Sequence, residues 1–502
     1  MAAIGVGIFL LFFIAWNVAI SLRNPSHKLA MGHDLLPSYA AGTLVRKGTP
    51  RLMYERSAVQ AVETSTIQTA DLEMDPRYGP WLNPPFFAWI FAPLSALPYR
   101  SAALIFLCAN LLMLGASLAM LARMFVTSRA YLHPAVCLEF PPPVLRGRVR
   151  VGAAWSVSGR SSHAPHSDAS GSASLVKPYP HPNPPPEYRG REKESRRYCH
   201  ASAPPIPWQA WALVPLLVVL PLPFWQAICH QQNTFISLLL LTAATACWRN
   251  GRGFSAGVFA GLLFFKPQLA AIFALALIIG LGWRAVAGLA VTGSILLAIT
   301  LLTLPGCLGE FFHRLPPTLH WLQMEAPYNW GRQVTFQSFW RLLIQGHVRG
   351  DTQIIVKIFW WICSGAVFVS VAVAGWRHVR SGRGVASRDR LIAAAIASMP
   401  LVMPYYMDYD LMLLAIPAVL FAAEWTHRPS SITRADWLLL FVWAAFCFET
   451  FFNPGLAGHS RLNLAVPLLA TISALHTARC LRRDHVEQAQ DQATDQPLAA
   501  AA

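Results

Sequence analysis

Five stretches of this chain, residues 4–22, 102–124, 285–304, 354–376 and 437–452, run for most of twenty residues with almost no charge. A helix needs about 20 consecutive apolar residues to cross the hydrocarbon of a bilayer. Helices that are apolar all round are stable only in lipid or deep inside a bundle, so a chain with several of them is a membrane protein. Composition agrees, because charged residues make up 13% of the sequence and hydrophobic ones 55%, about half the charged share of a soluble domain. The expected fold class is an all-α polytopic membrane protein with about 10–13 transmembrane segments. The first stretch lacks a basic flank and a small-residue cleavage site, and is expected to stay as a signal-anchor span.

A net charge of +16, from 40 basic and 24 acidic residues, would point to nucleic acid in a soluble protein. Here the arginines gather in short connections. Residues 377–390 hold five arginines and one aspartate, and Arg479, Arg482 and Arg483 follow the last apolar stretch. The positive-inside rule makes both cytoplasmic, so the expectation is a multi-pass protein of the plasma (inner) membrane with its C-terminus inside and no nucleic-acid partner. The nine cysteines are scattered without CxxC or metal-ligand spacing, which indicates neither a disulfide framework nor a zinc site. No phosphate-binding loop, dinucleotide fingerprint, HExxH or GxSxG element stands in a meaningful context, and chemistry driven by a nucleotide is disfavoured.

Four regions are expected. Residues 1–130 hold the first span, a polar loop over 23–83, and two further apolar segments, the earlier opening at Asn83-Pro84-Pro85. Residues 131–207 are rich in proline, arginine and serine, with too little apolar surface to offset ordering entropy, and are read as a disordered insert with polyproline-II character. Residues 208–480 form the remaining bundle, interrupted by a second long loop at 305–353, and 481–502 a disordered cytoplasmic tail. Counting crossings back from the C-terminus places the second loop, Lys266 and residues 230–233 and 405–410 outside. Counting forward also places the first loop outside, yet the two counts differ by one crossing between residues 84 and 225. Either one proline-broken segment there is re-entrant or split, or one of the spans is misjudged.

Asp34 lies twelve residues after Leu22, close to the membrane face where a lipid-linked headgroup would sit. A carboxylate there suits a general base, or else caps a helix beginning at Leu35. Lys266 interrupts an apolar run; such a charge lines a cavity, meets a phosphate, or snorkels to the interface. Arg314 and Arg332 have the bidentate fit to phosphate oxygens, against the commoner reading as solvated loop charges. His230, Gln231, Gln232 and Asn233 suit sugar hydroxyls or simply form a polar turn. Asp408 and Asp410, two apart, would face differently on a helix and are expected to cap the one that follows. Asp71, Glu73 and Asp75 read as a solvated acidic loop rather than a cation site.

Four stretches together resemble glycosyltransferase family 87, a group of GT-C-type membrane enzymes that includes actinobacterial α-1,2-mannosyltransferases using polyprenyl-phosphate mannose. They are Asp34 with Tyr39-Ala40-Ala41-Gly42, Gly48 and Leu52-Met53-Tyr54; Asn83-Pro84-Pro85 with Pro93-Leu94; Gln231-Gln232-Asn233 continuing through Ala256-Gly257 to Lys266-Pro267; and Tyr409-Asp410-Leu411. Asn83 and His230 stand where the family has tyrosine and glycine. The resemblance implies a GT-C-like helical bundle with two long extracytoplasmic loops. It implies a polyprenyl-phosphate sugar donor reaching the site laterally from the lipid bilayer, a glycolipid or glycan acceptor, and inverting transfer with Asp34 as catalytic base. Tyr39, Gln231, Asn233, Lys266, His320, Arg332 and Asp410 are the expected substrate-binding residues, with no cofactor and no metal. The rival readings are a transporter or lipid flippase, whose key groups usually sit near the midplane at broken helices, and an inactive relic of the family.

Overall fold

The computed structural model describes residues 34–72, 79–132, 208–219, 221–326, 328–380, 384–427 and 432–482. The expected first span, almost all of the expected insert, the C-terminal tail from 483, and Glu73 and Asp75 lie outside the described residues. Every described residue belongs to one compact unit. It is helical, and among the described residues the only pairing of extended chain is an isolated antiparallel bridge between Gln333 and Met407.

The first polar loop is itself folded. It carries α1 (Leu36–Arg46) and α2 (Arg56–Thr69), followed by two 3-10 helices, Pro85–Ile90 and Leu94–Ala96. Pro37 in the first turn of α1 costs no hydrogen bond, because that turn's N–H groups have no helical partner. Gly42 lets α1 lie directly on the 3-10 segment: a Cβ there would collide with the Phe91 carbonyl. The long α3 (Tyr99–Leu132) follows.

After residue 207 come α4 (Trp208–Val219) and α5 (Leu222–His230), bent by 68° at the proline-bearing break between them. Next are α6 (Thr234–Arg249), α7 (Gly253–Leu262), α8 (Pro267–Leu281) and α9 (Trp283–Thr303). α7 and α9 meet at Gly257 and Gly288, where added Cβ atoms would strike the carbonyls of Ala285 and Phe254, so the small residues set that close approach. The second expected loop also folds, into α10 (Cys307–His320), a π turn at Trp321–Glu325, a 3-10 turn at Trp330–Arg332, and α11 (Phe336–Gln345). A reciprocal capping box between Thr335 and Ser338 starts α11. Then come α12 (Ile354–Arg380), α13 (Val385–Val402), a 3-10 segment Asp408–Leu414 running into α14 (Ala415–His427), α15 (Arg434–Glu449), the short α16 (Asn453–His459) and α17 (Ala465–Leu481).

Four described helices are long and apolar enough to cross a membrane, and the bent α4–α5 pair would make a fifth. Shorter apolar helices, α6, α7 with its 3-10 extension, α8 and α17, complete the bundle. Among the described residues, breaks such as Lys266-Pro267 divide the apolar runs into these shorter helices. The span formed by Asp408–Thr426 is 72% buried and central, whereas α12 is only 17% buried and presents its apolar surface to lipid.

The connections sort into two ends. At one, Asp34 N–H donates to the His230 carbonyl, Trp89 Nε1 to Thr303, and Arg51 to the Pro305 carbonyl. At the other, Arg249 reaches the Met124 carbonyl, Ser128 and Asp389, and Arg388 donates to the Arg249 carbonyl. There too Arg390 and Arg479 share Glu424, and Arg479 pairs with Asp436. The segment opening at Pro85, expected to be apolar membrane chain, is two short 3-10 turns at the first end. The first span, from which the forward count starts, lies outside the described residues; among those described, α3 and the bent α4–α5 pair each run between the two ends.

Candidate active site

Asp34 precedes α1 at the first end of the bundle. It does not cap that helix, whose N-cap is Leu35 and carries no side-chain hydrogen bond. Its carboxylate instead accepts a short hydrogen bond from Gln232 Nε2. Gln232 reaches Asp34 because α5 ends at Gln231 in the left-handed region, φ 53°. A non-glycine residue there costs on the order of 1–3 kcal/mol and persists only where its surroundings hold it. The Asn110 amide of α3 donates to the Gln232 carbonyl at 3.4 Å and so fastens this turn.

Two buried ion pairs stand beside it. Lys266 sits where a 3-10 turn ends α7 and Pro267 restarts the chain as α8; its ammonium meets Asp410 Oδ1 at 2.9 Å. Thr234 Oγ1, in the first turn of α6, donates to the same oxygen at 2.6 Å. Lys266 is 8% and Asp410 4% exposed, so Lys266 does not snorkel to an interface. Asp408 faces the other way. Arg332 grips it with both arms of the guanidinium, 2.9 and 2.8 Å, and Gln226 Nε2 of α5 adds a third bond at 3.1 Å. The two aspartates do diverge, each onto a cation, and Asp408 Oδ1 also accepts the Tyr409 N–H at 3.0 Å in the first turn of the 3-10 segment. Charge-assisted bonds of this kind are the strong ones.

The turn carrying Arg332 is braced from two sides. Val334 N–H donates to the Tyr406 carbonyl at 3.0 Å and Tyr406 N–H to Gln333 Oε1 at 2.8 Å. From the C-terminal region, the Asn453 amide donates to the Gly331 carbonyl at 3.2 Å and the Asn463 amide to the Gln333 carbonyl at 2.8 Å. Both asparagines are buried, and they bracket Arg332. Burial works to lower the Arg332 pKa, but Asp408 beside it, with weaker help from Tyr409 and Asp34, raises it above its ordinary value, so the guanidinium stays charged. Burial also raises the Tyr405 hydroxyl, with Asp34 acting in the same direction, so the phenol keeps its proton and can donate it in a hydrogen bond.

The structure brings together Asp34, Lys266, Arg332 and Asp410 from the expected set. Gln231 and Asn233 flank the Asp34 contact, both buried; among the described residues neither side-chain carbonyl has a hydrogen-bond partner. Tyr39 stands apart, its hydroxyl donating to the Leu97 carbonyl and its ring edge-on to Tyr99, along a groove of about 690 Å³. His320 is exposed and paired with Asp351 and Glu325, outside the cluster. Arg314 pairs with Glu310 and Glu55 and is a half-exposed loop charge. Absent from the expected set were Gln226, Gln232, Thr234 and Asp408. Gln232 and Thr234 flank expected Asn233, and Asp408 lies two residues before expected Asp410, but which neighbour reaches the centre depends on tertiary direction. Among the described residues no group of three His, Cys, Asp or Glu is placed to hold a metal ion.

Comparison with known proteins matches the model of glycosyltransferase family 87 to residues 81–157 and 191–404, more than half of the chain. No curated protein and no solved structure matches. The matched stretch includes the Gln231–Asn233 turn, Lys266 and Arg332, while Asp34, Asp408 and Asp410 lie beyond its ends. With its apolar helices and a polar cluster gathered at one end of the bundle, the chain belongs to glycosyltransferase family 87 and is a multi-pass membrane glycosyltransferase.

Proposed function

We propose that the chain transfers a hexose, mannose in the reading favoured by the resemblance, from a polyprenyl-phosphate donor to a glycan or glycolipid acceptor, with inversion and with Asp34 as general base. The observation that carries this reading is the juxtaposition of one carboxylate held by an amide, Asp34 with Gln232, and two cations, Lys266 and Arg332. Asp34 takes the proton of the acceptor hydroxyl as its oxygen attacks the anomeric carbon. The bond from that carbon to the phosphate oxygen breaks on the opposite face, and the phosphate leaves with a second negative charge developing. Lys266 and Arg332 turn toward that charge, relaxing their pairs with Asp410 and Asp408, and Tyr405 adds a neutral donor. Gln231 and Asn233 offer buried amide carbonyls to sugar hydroxyls. The arginine-bearing end of the bundle is the cytoplasmic one under the positive-inside rule, which puts the reaction on the extracytoplasmic face of the plasma (inner) membrane with the C-terminus inside.

The test is purified full-length protein given a panel of polyprenyl-phosphate hexoses and candidate acceptors, with Asp34→Asn alongside. Loss of general-base catalysis lowers kcat by about 10²–10⁴-fold, while the thermal unfolding midpoint holds. Transfer that survives Asp34→Asn at the wild-type rate removes Asp34 from the mechanism, and an absence of transfer from every donor overturns the donor class.

A further inference from the structure

Beside the turn that carries Arg332 the folded second loop encloses a pocket of about 340 Å³, lined among others by Gln323, Tyr328, Asn329, Trp330, His347 and Arg349. Tyr328, partly exposed, gives it an aromatic wall; Trp330 behind it is 4% exposed and edge-on to Tyr328 at 5.0 Å, with the Arg341 guanidinium 4.6 Å from its ring centroid. These contacts fix the aromatic surface. Asn329, His347 and Arg349 form an exposed rim. Among the described residues neither the Asn329 amide nor the Arg349 guanidinium has a hydrogen-bond or ion-pair partner, although His347 is anchored to the Ser460 carbonyl at 2.9 Å.

An aromatic wall beside a rim of amide, imidazole and guanidinium suits one class of ligand. A saccharide presents an apolar C–H face that packs on an aromatic ring and an equatorial belt of hydroxyls that both donate and accept. The volume lies at the lower end of the range for small-molecule sites. Among the described residues no carboxylate lines the pocket, so none of them competes for the rim donors. The pocket also adjoins the reaction centre. Tyr328 packs against Tyr405 at 6.5 Å between ring centroids, Tyr405 feels the charges of Asp34 and Arg332, and Trp330 lies two residues before Arg332.

We infer that this pocket is a saccharide subsite that holds the acceptor's sugar unit adjacent to the one bearing the reacting hydroxyl. The inference rests on the placement of the reaction centre at Asp34 and Arg332. It predicts that acceptors of two or more sugar units bind through Asn329 and Arg349, whereas a single sugar cannot reach both places.

Two measurements test it on full-length protein in nanodiscs. The first is saturation-transfer NMR with methyl glycosides of mannose, glucose and galactose as probes. Wild type and Asp34→Asn are expected to transfer saturation to the ring protons of at least one probe, and the double variant Asn329→Ala/Arg349→Ala to lose that signal at least 5-fold. The second compares KM for a disaccharide and a monosaccharide acceptor. The double variant is expected to raise the former about tenfold and leave the latter unmoved. Equal binding by wild type and double variant, no binding of any probe, or equal KM shifts for both acceptors would each overturn the subsite. Transfer unaffected by Asp34→Asn, with probe binding still dependent on Asn329 and Arg349, would instead sink the placement of the reaction centre. Both rim residues are exposed, and a retained unfolding midpoint excludes misfolding as the cause.

Discussion

Lys266 and Asp410 show how a charge survives in an apolar bundle. Each is almost fully buried, and each relieves the desolvation of the other, with Thr234 satisfying a further lone pair of the carboxylate. Removing one partner of such a pair costs about 3–5 kcal/mol, mostly because the other charge is left uncompensated, while removing both together is far cheaper. That asymmetry separates a structural from a catalytic role. Lys266→Met alone should lower the unfolding midpoint in detergent, and Lys266→Met combined with Asp410→Asn should recover most of it. If Lys266 steadies the leaving phosphate, transfer stays lost in the folded double variant. Recovery of transfer along with stability would make the pair a structural fixture only. The Arg332–Asp408 pair differs, because the Arg332 side chain is 24% exposed and so is open to solvent, as a group that must meet a substrate has to be.

Arg332 is placed by the elements around it more than by its own turn. Asn453 at the start of α16 and Asn463 just before α17 hold the carbonyls on either side of it, and the bridge from Gln333 to Met407 ties the turn to the strip that carries Asp408. Asn463→Ala would take one of two donors from the buried Gln333 carbonyl, which keeps Ser338 Oγ at 2.6 Å, a loss of about 0.5–1.5 kcal/mol, and a misplacement of about 1 Å near the reacting atoms can cost about 10²-fold in rate. The expected result is a kcat reduced tenfold or more with KM for donor little changed. A double-mutant cycle checks that the asparagine acts through the arginine: in an Arg332→Ala background, Asn463→Ala should add almost nothing, whereas additive losses would assign it an ordinary packing role. Such coupling was not legible in the sequence, since Arg332 and Asn463 are far apart along the chain and joined only by folding. Other elements were legible. The nearly uncharged windows at 102–124, 285–304 and 354–376 coincide to within a residue with stretches of α3, α9 and α12, because lipid exposure demands sustained apolarity. The loops at 23–83 and 305–353 read as polar chain yet fold into helices where described, since their amphipathic faces pack on the bundle end. Residues 85–97 read as membrane chain for the converse reason: Phe87, Ala88 and Phe91 are buried, with the Phe91 carbonyl directly against α1 at Gly42, while Trp89, Ile90 and Leu97 stay exposed.

Across the whole bundle, charge is divided by purpose. One end joins α3, α6, α13, α14, α15 and α17 through arginines paired with Asp389, Glu424 and Asp436, a network that ties helix ends together. The other end gathers Asp34, Asp408 and Asp410 with Lys266 and Arg332 around the candidate centre. The chain between α3 and α4 leaves from the arginine end, because the last described turns of α3 carry Met124 and Ser128, which Arg249 holds there. The end of α3 that enters this connection is therefore opposite the centre. The family match covers 131–157 and 191–207 of this connection and leaves 158–190 unmatched. Deleting residues 136–203 would leave seven residues, 133–135 and 204–207, between the two helices. Seven extended residues reach about 23–25 Å, and α3 packs directly against α4, where helix axes lie about 8–10 Å apart. Seven residues therefore reach farther than the axis separation of packed helices. In the flexible-loop limit each halving of a loop lowers its closure cost by about 0.6 kcal/mol, so shortening it roughly tenfold favours the folded state by about 2 kcal/mol. The deletant is expected to insert, to keep an unfolding midpoint no lower than that of the full chain, and to transfer sugar at the same rate. A deletant that inserts and unfolds normally but has lost transfer would mean that this connection contributes to the reaction from the opposite end of the bundle.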